Sequence, residues 1–131
     1  MSLTIGKLAH AANVNIETIR FYERKQIIEQ PAKNGAFRTY SEDYIKKIVF
    51  IKRAQELGFT LKETKGLLDL KIKNQAKCSD VLDKTEMKIN EIDKKIKDLR
   101  NMKKSLKKLA TCCVDKDQPL SDCPILDCFT L

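Results

Sequence analysis

No apolar run in the 131-residue sequence approaches the roughly 20 residues that cross a bilayer, which excludes membrane insertion. Histidine occurs once, and the four glycines are scattered. There is no phosphate-cradling glycine loop, no Ser/His/Asp set and no Cys/His pair, so the sequence is not expected to be an enzyme. Met1 to Ala12 lacks the basic start, apolar stretch and small-residue cleavage site of a secretory signal, and a cytoplasmic, reducing location is expected. At this length one small domain with an appended element fits, whereas separate cofactor and substrate lobes do not.

Positive charge is abundant. Lys and Arg number 26 against 18 Asp and Glu, a formal +8 that favours a polyanionic partner. Cysteine is the other excess. Four of the five lie beyond residue 110, and an odd, clustered set in a reducing compartment reads as metal or redox thiols before a disulfide framework.

The fold class expected is mainly all-α, in four parts: a winged helix-turn-helix DNA-binding domain over 1–70, a linker over 71–78, a dimerisation helix over 79–111, and a metal-binding loop with a short terminal helix over 112–131. Thr4 suits the N-cap of a first helix with Ile5, Leu8, Ala9 and Ala12 on one face, ending at Asn13. Asn15 caps a second helix, Ile16 to Lys25, after a link short enough for a helix-turn-helix. An ordinary helical hairpin is the alternative for this stretch alone. Pro31 interrupts helix, Asn34-Gly35 suits a type I′ hairpin turn, and Phe37, Thr39 and Tyr40 are strand-like with Arg38 between them. In such a wing arrangement the second helix enters the major groove and the hairpin reaches the adjacent backbone. Ser41 is expected to cap a helix from Glu42 to Leu57, Gly58 to end it, and Thr60 with Glu63 to form a capping box opening another helix to about Leu70.

From Ser79 to about Thr111 there is no Gly or Pro, and Leu82, Ile89, Ile92, Ile96, Leu99, Met102, Leu106 and Leu109 form a narrow apolar seam. The spacing is that of a coiled coil with one slip between Leu99 and Met102. A solvated helix packed on its own domain is the alternative. Residues 80–93 carry net −3 and residues 94–108 net +7, so two such helices satisfy their charges when antiparallel. Exposed pairs contribute only a few tenths of a kcal/mol each, so charge selects the orientation and the seam supplies most of the affinity.

Cys78 begins this helix and Cys112-Cys113 ends it, roughly 50 Å apart at ~1.5 Å per residue. One chain cannot join them around a metal. In an antiparallel homodimer Cys78 of one subunit approaches Cys113 of the other, and Cys123, preceding Pro124 at the start of a short helix to Phe129, supplies a third thiolate. Cys112 is the rival to Cys113, or a fourth sulfur. With His10 far off in the first helix, a sulfur-only site favours a soft ion: Hg(II) first, then Cd(II) or Pb(II), with Zn(II) open through Cys112. Free thiols and a redox switch using Cys112 or Cys113 with Cys123 are the competing readings, and a metal buffer is a third. Cys128 reads as a packing residue of the terminal helix ahead of an accessory thiol, and His10 as a helix-face residue near DNA phosphate ahead of a ligand.

Thr4-Ile-Gly-Lys-Leu-Ala, Glu17-Thr-Ile-Arg-Phe-Tyr-Glu, Phe37-Arg-Thr-Tyr40 after Gly35, and Phe50-Ile-Lys-Arg-Ala-Gln-Glu-Leu-Gly-Phe-Thr-Leu61 together resemble the N-terminal region of the MerR family of transcription regulators. The resemblance extends through Lys77-Cys78 and Cys123-Pro-Ile-Leu126 to the metal-sensing branch, above all its mercury-responsive members. It implies a homodimer on double-stranded promoter DNA whose recognition elements are spaced too far apart, with metal binding distorting the DNA so that RNA polymerase can use them. It implies as DNA-contacting residues Thr18, Arg20 and Tyr22 of the recognition helix, Arg38 and Tyr40 of the wing, and Lys52 of the next helix. The interval from Cys113 to Cys123 is ten residues, one longer than the mercury pattern and nearer the zinc one, yet the loop lacks the histidine of the zinc type.

Overall fold

The computed structural model describes residues 2–129. Its elements follow the order β1 (Ser2–Leu3), α1 (Ile5–Ala11), α2 (Ile16–Arg24), β2 (Lys33–Asn34), β3 (Phe37–Arg38), β4 (Tyr40–Ser41), α3 (Asp43–Glu56), α4 (Leu61–Ile72), α5 (Cys78–Ala110), a 3-10 turn (Leu120–Asp122) and α6 (Pro124–Cys128). The chain divides into two units, Met1–Leu82 and Asp83–Leu131.

In the first unit, local chemistry sets each boundary. The Thr4 hydroxyl accepts from Lys7 N at 3.3 Å and the Asn15 carboxamide from Thr18 N at 2.8 Å, each satisfying an otherwise orphaned helix donor. Asn13 turns the chain between them at φ 55, a left-handed conformation that Asn tolerates. The two helices and α3 then close on one core of Leu8, Ala9, Ala12, Ile19, Tyr22, Ile28, Tyr40, Ile48, Ile51 and Leu68. Thr60 and Glu63 form the reciprocal capping box: Glu63 Oε1 accepts from Thr60 N at 2.8 Å, and Thr60 Oγ1 accepts from Glu63 N at 3.1 Å. Thr60→Ala should therefore lower unfolding stability by about 1 kcal/mol, measured by urea denaturation with an unchanged m value.

Two local expectations are corrected. The wing turn has Gly35 and Ala36 at its centre, since Asn34 pairs with Phe37 inside the hairpin. Only Gly35 takes a positive φ, 74°, which matches a type II′ turn with glycine first and not the type I′ turn centred on Asn34. Ser41 does not cap α3. It lies in β4, paired with Ser2 of a two-residue strand too short to carry a periodic signal, and Glu42 takes the cap position without a side-chain hydrogen bond.

In the second unit, α5 continues to Ala110 and ends in a turn followed by the loop that leads to α6. Asp115 Oδ1 accepts from Asp117 N at 3.0 Å and orders the start of that loop. Pro124 occupies the first turn of α6 with Cys123 as its N-cap, where the missing proline N–H costs nothing. Ile89, Ile92, Ile96, Leu99, Met102 and Leu106 are exposed along α5, with Ile96 at 41% and Leu99 at 61%. A helix with this many uncovered apolar side chains in register presents a seam that its own unit does not fill.

Candidate metal centre and nucleic-acid interface

Clefts border α2. Thr18 and Lys52 line one with Asn13 and Asn15. Arg20, Arg38 and Tyr40 line another, together with Thr4, Lys33 and Phe37. Arg20 Nη1 lies 3.4 Å from Glu17 Oε1, both side chains more than half exposed, an ion pair too weak to hold the guanidinium away from a stronger anion. Arg38 uses its Nε to donate to the Pro31 carbonyl at 2.9 Å, which pins the wing to the chain preceding it. Lys52 Nζ donates to the Asn13 carbonyl at 3.0 Å, so it braces the turn between α1 and α2; two of its three protons stay available to a phosphate.

The two tyrosines are core residues first. Tyr22 and Tyr40 are 3% and 2% exposed, with Tyr22 OH donating to Gln55 Oε1 at 2.9 Å and Tyr40 OH donating to Glu23 Oε2 at 3.2 Å. Burial, then the neighbouring Glu23 carboxylate, pushes the Tyr40 phenol up to about 12. Burial likewise raises Tyr22. Both stay protonated at neutral pH. Phe37 and Lys33 were not singled out as binding residues by the sequence. Phe37 is 73% exposed on the hairpin, and only the hairpin register distinguishes it from an inward-facing strand residue.

The cysteines gather around the ends of α5. Cys78 is its first residue and is exposed; Cys112, Cys113, Cys123 and Cys128 are half-buried in the second unit. All five are free thiols. Cys113 Sγ donates to the Asp115 carbonyl at 3.6 Å, inside the loop. Cys112 Sγ donates to the Lys108 carbonyl at 3.8 Å, back along the helix. Adjacent residues thus send their sulfurs to different partners. Cys128 hydrogen-bonds Cys112, and this contact, followed by burial, raises its pKa above the ordinary thiol value. Among the described residues of one chain, no three His, Cys, Asp or Glu side chains come together as a metal cage.

Comparison with known proteins adds the lineage. Residues 3–71 match the MerR HTH family regulatory protein pattern, and residues 45–109 match the MerR DNA-binding pattern. The chain belongs to the MerR family. MerR proteins are DNA-binding regulators and not enzymes. The mercuric resistance operon regulatory protein of Bacillus cereus is 41% identical over 128 residues, covering 97% of this chain and 96% of its own. Its Shigella flexneri counterpart is 37% identical over 126 residues, covering 95% of this chain and 85% of its own. Among solved structures, the mercury(II)-bound MerR of Bacillus megaterium MB1 aligns with a TM-score of 0.76 at 38% identity, over 98% of this chain and 100% of that one. The lead(II)-bound regulator PbrR691 of Ralstonia metallidurans CH34 aligns with a TM-score of 0.88 at 30% identity, over 97% and 98%.

Proposed function

We propose that this MerR protein is a dimeric regulator of a metal-resistance operon, which answers Hg(II) by distorting its promoter into a form that RNA polymerase can use. The observation that carries the reading is near-full-length identity of 41% to a mercuric resistance regulator, in a chain whose metal-seeking side chains are thiols at the two ends of α5. The donor set fits a soft ion: the single histidine belongs to α1, and sulfur is what Hg(II) prefers. Two α5 helices pair antiparallel through the exposed seam, the acidic half of each against the basic half of the other. Cys78 of one protomer then joins Cys113 and Cys123 of its partner. Cys113 is chosen over Cys112 because its sulfur turns into the loop that leads to Cys123, bonding the Asp115 carbonyl, whereas the Cys112 sulfur turns back along α5 to the Lys108 carbonyl. Bound metal supplies a cross-link between the ends of the two helices, and the chain's own part is to hold the thiols and transmit the change to the DNA-binding domains.

On the DNA, Arg20 reads base edges from the recognition helix, while Arg38, Thr18 and Lys52 meet phosphates on either side. Tyr22 and Tyr40 contribute hydroxyls from the core. Arg20→Ala should weaken operator binding by roughly 1 to 3 kcal/mol and leave binding to random DNA nearly unchanged, as measured by gel shift at fixed salt. An equal loss on both DNAs would reassign Arg20 to the backbone.

Lead(II) is the second reading, favoured by the fold agreement with the lead-bound regulator. Cd(II) and Zn(II) complete the set. One promoter-reporter strain exposed in turn to Hg(II), Cd(II), Pb(II), Zn(II) and peroxide distinguishes them. Half-maximal induction is expected at the lowest concentration for Hg(II), with no response to peroxide. Induction by peroxide with the thiols metal-free would replace the metal reading by a redox one.

A further inference from the structure

Two side chains of α3 tie down α2. Tyr22 OH donates to Gln55 Oε1 at 2.9 Å across 33 positions of sequence, and Lys52 Nζ donates to the Asn13 carbonyl at 3.0 Å. Lys52 and Gln55 stand three positions apart, on the side of α3 that also carries Ile48 and Ile51, both fully buried. Their partners lie on either side of the residues assigned to DNA: Asn13 precedes α2, whereas Tyr22 follows Thr18 and Arg20 near its end. The second helix is thus held from the third at both ends.

Such a mount matters because α2 has only nine residues, too few to be a stable helix on its own in water. At ~1.5 Å per residue it is about 14 Å long, so a tilt of about 10° at one end moves the other by roughly 2 Å, well beyond the ~0.5 Å within which recognition groups must be held. Phosphate contacts carry no sequence information, whereas hydrogen bonds to base edges demand fixed geometry. A tilted α2 therefore keeps its hold on the backbone and loses its reading of the sequence. Gln55 is exposed although Tyr22 is 3% exposed, so what Gln55 gives the domain is the bond to the phenol and little packing.

We propose that Gln55 is a positioning residue for base reading: it acts through Tyr22 to fix the angle of α2 and so sets the preference for the operator over other DNA. The inference rests on the reading of α2 as the recognition helix. Lys52 braces the opposite end, and its phosphate contact is a separate matter.

The test uses the full-length protein on its own promoter duplex and on a random duplex of equal length, by gel shift at fixed salt. Gln55→Leu removes the acceptor at an exposed position, and Tyr22→Phe removes only the donor. Each should lower the operator-to-random affinity ratio by roughly 5-fold, the range of one hydrogen bond, and the double variant by no more than either alone. Gln55→Glu keeps an acceptor and should keep the ratio. The slope of affinity against salt should not change in Gln55→Leu, because no phosphate contact is lost. Thr60→Ala, which weakens the fold without touching α2, should leave the ratio as it is, separating positioning from general stability. An unmoved ratio in Gln55→Leu overturns the proposal. So do additive losses in the double variant with a shallower salt slope, which would place Gln55 on the DNA itself. Arg20→Ala run in parallel distinguishes the two readings: a ratio that moves there and not in Gln55→Leu sinks the positioning role alone, and the reverse sinks base reading by Arg20 and leaves Gln55 standing.

Discussion

A dimer that pairs a Cys78→Ser protomer with a Cys123→Ser protomer will bind one Hg(II) as a tris-thiolate, although a homodimer of either variant binds none in that form. The reason is the division of ligands between subunits. In an antiparallel pair each site takes Cys78 from one chain and Cys113 with Cys123 from the other. The mixed dimer therefore concentrates both lesions in one site and leaves the opposite site whole. Induction should be lost in each homodimer and return, at least in part, in the mixture, while operator binding without metal stays near that of the unaltered protein. Coexpression with two affinity tags isolates the mixed species, and its absorption in the charge-transfer region reports the site. Failure to recover any site would mean that the ligands come from one chain, or that the helices run parallel.

The second large effect concerns the seam. Replacing Ile96 by Asp places a carboxylate in the middle of the row formed by Ile89, Ile92, Leu99, Met102 and Leu106, all exposed in the single chain. On pairing, that charge would be buried without a partner, at a cost of several kcal/mol. Ile96→Asp should therefore yield monomer by sedimentation velocity. Operator affinity should fall by roughly 100-fold or more because the second DNA-binding domain is no longer tethered to the first. The helix itself should persist, because the substitution lies on a surface the chain leaves uncovered. A variant that stays dimeric with native operator affinity would move the interface elsewhere.

How far the sequence carried these conclusions depended on whether a signal was local. The Thr60–Glu63 capping box lies within one helical turn, and its spacing alone defined it. Gly58, at φ 93, ends α3 as a left-handed glycine should. The helix-turn-helix was equally legible, with Thr4 and Asn15 each bonding the backbone three residues on. Information failed where partners were distant. Ser2–Leu3 becomes a strand only because Tyr40–Ser41 is there to pair with it. Asn34-Gly35 is a strong turn dipeptide, but pairing of Asn34 with Phe37 moved the turn forward by one residue. Tyr22 and Tyr40, carried over as DNA contacts by resemblance, are anchored by Gln55 and Glu23, 33 and 17 residues away. The cysteine pattern told which chemistry to expect, but not that the adjacent Cys112 and Cys113 sulfurs turn to different carbonyls, those of Lys108 and Asp115.

The bond from Tyr40 to Glu23 joins the hairpin side of the domain to the C-terminal turn of α2, and the pairing of Leu3 with Tyr40 ties the chain's start to the same point. Helix and wing are thereby splinted. On the proposed binding mode they would grip a duplex as the jaws of a fixed spanner grip a bolt, so torque applied to the domain about the operator axis would turn both together.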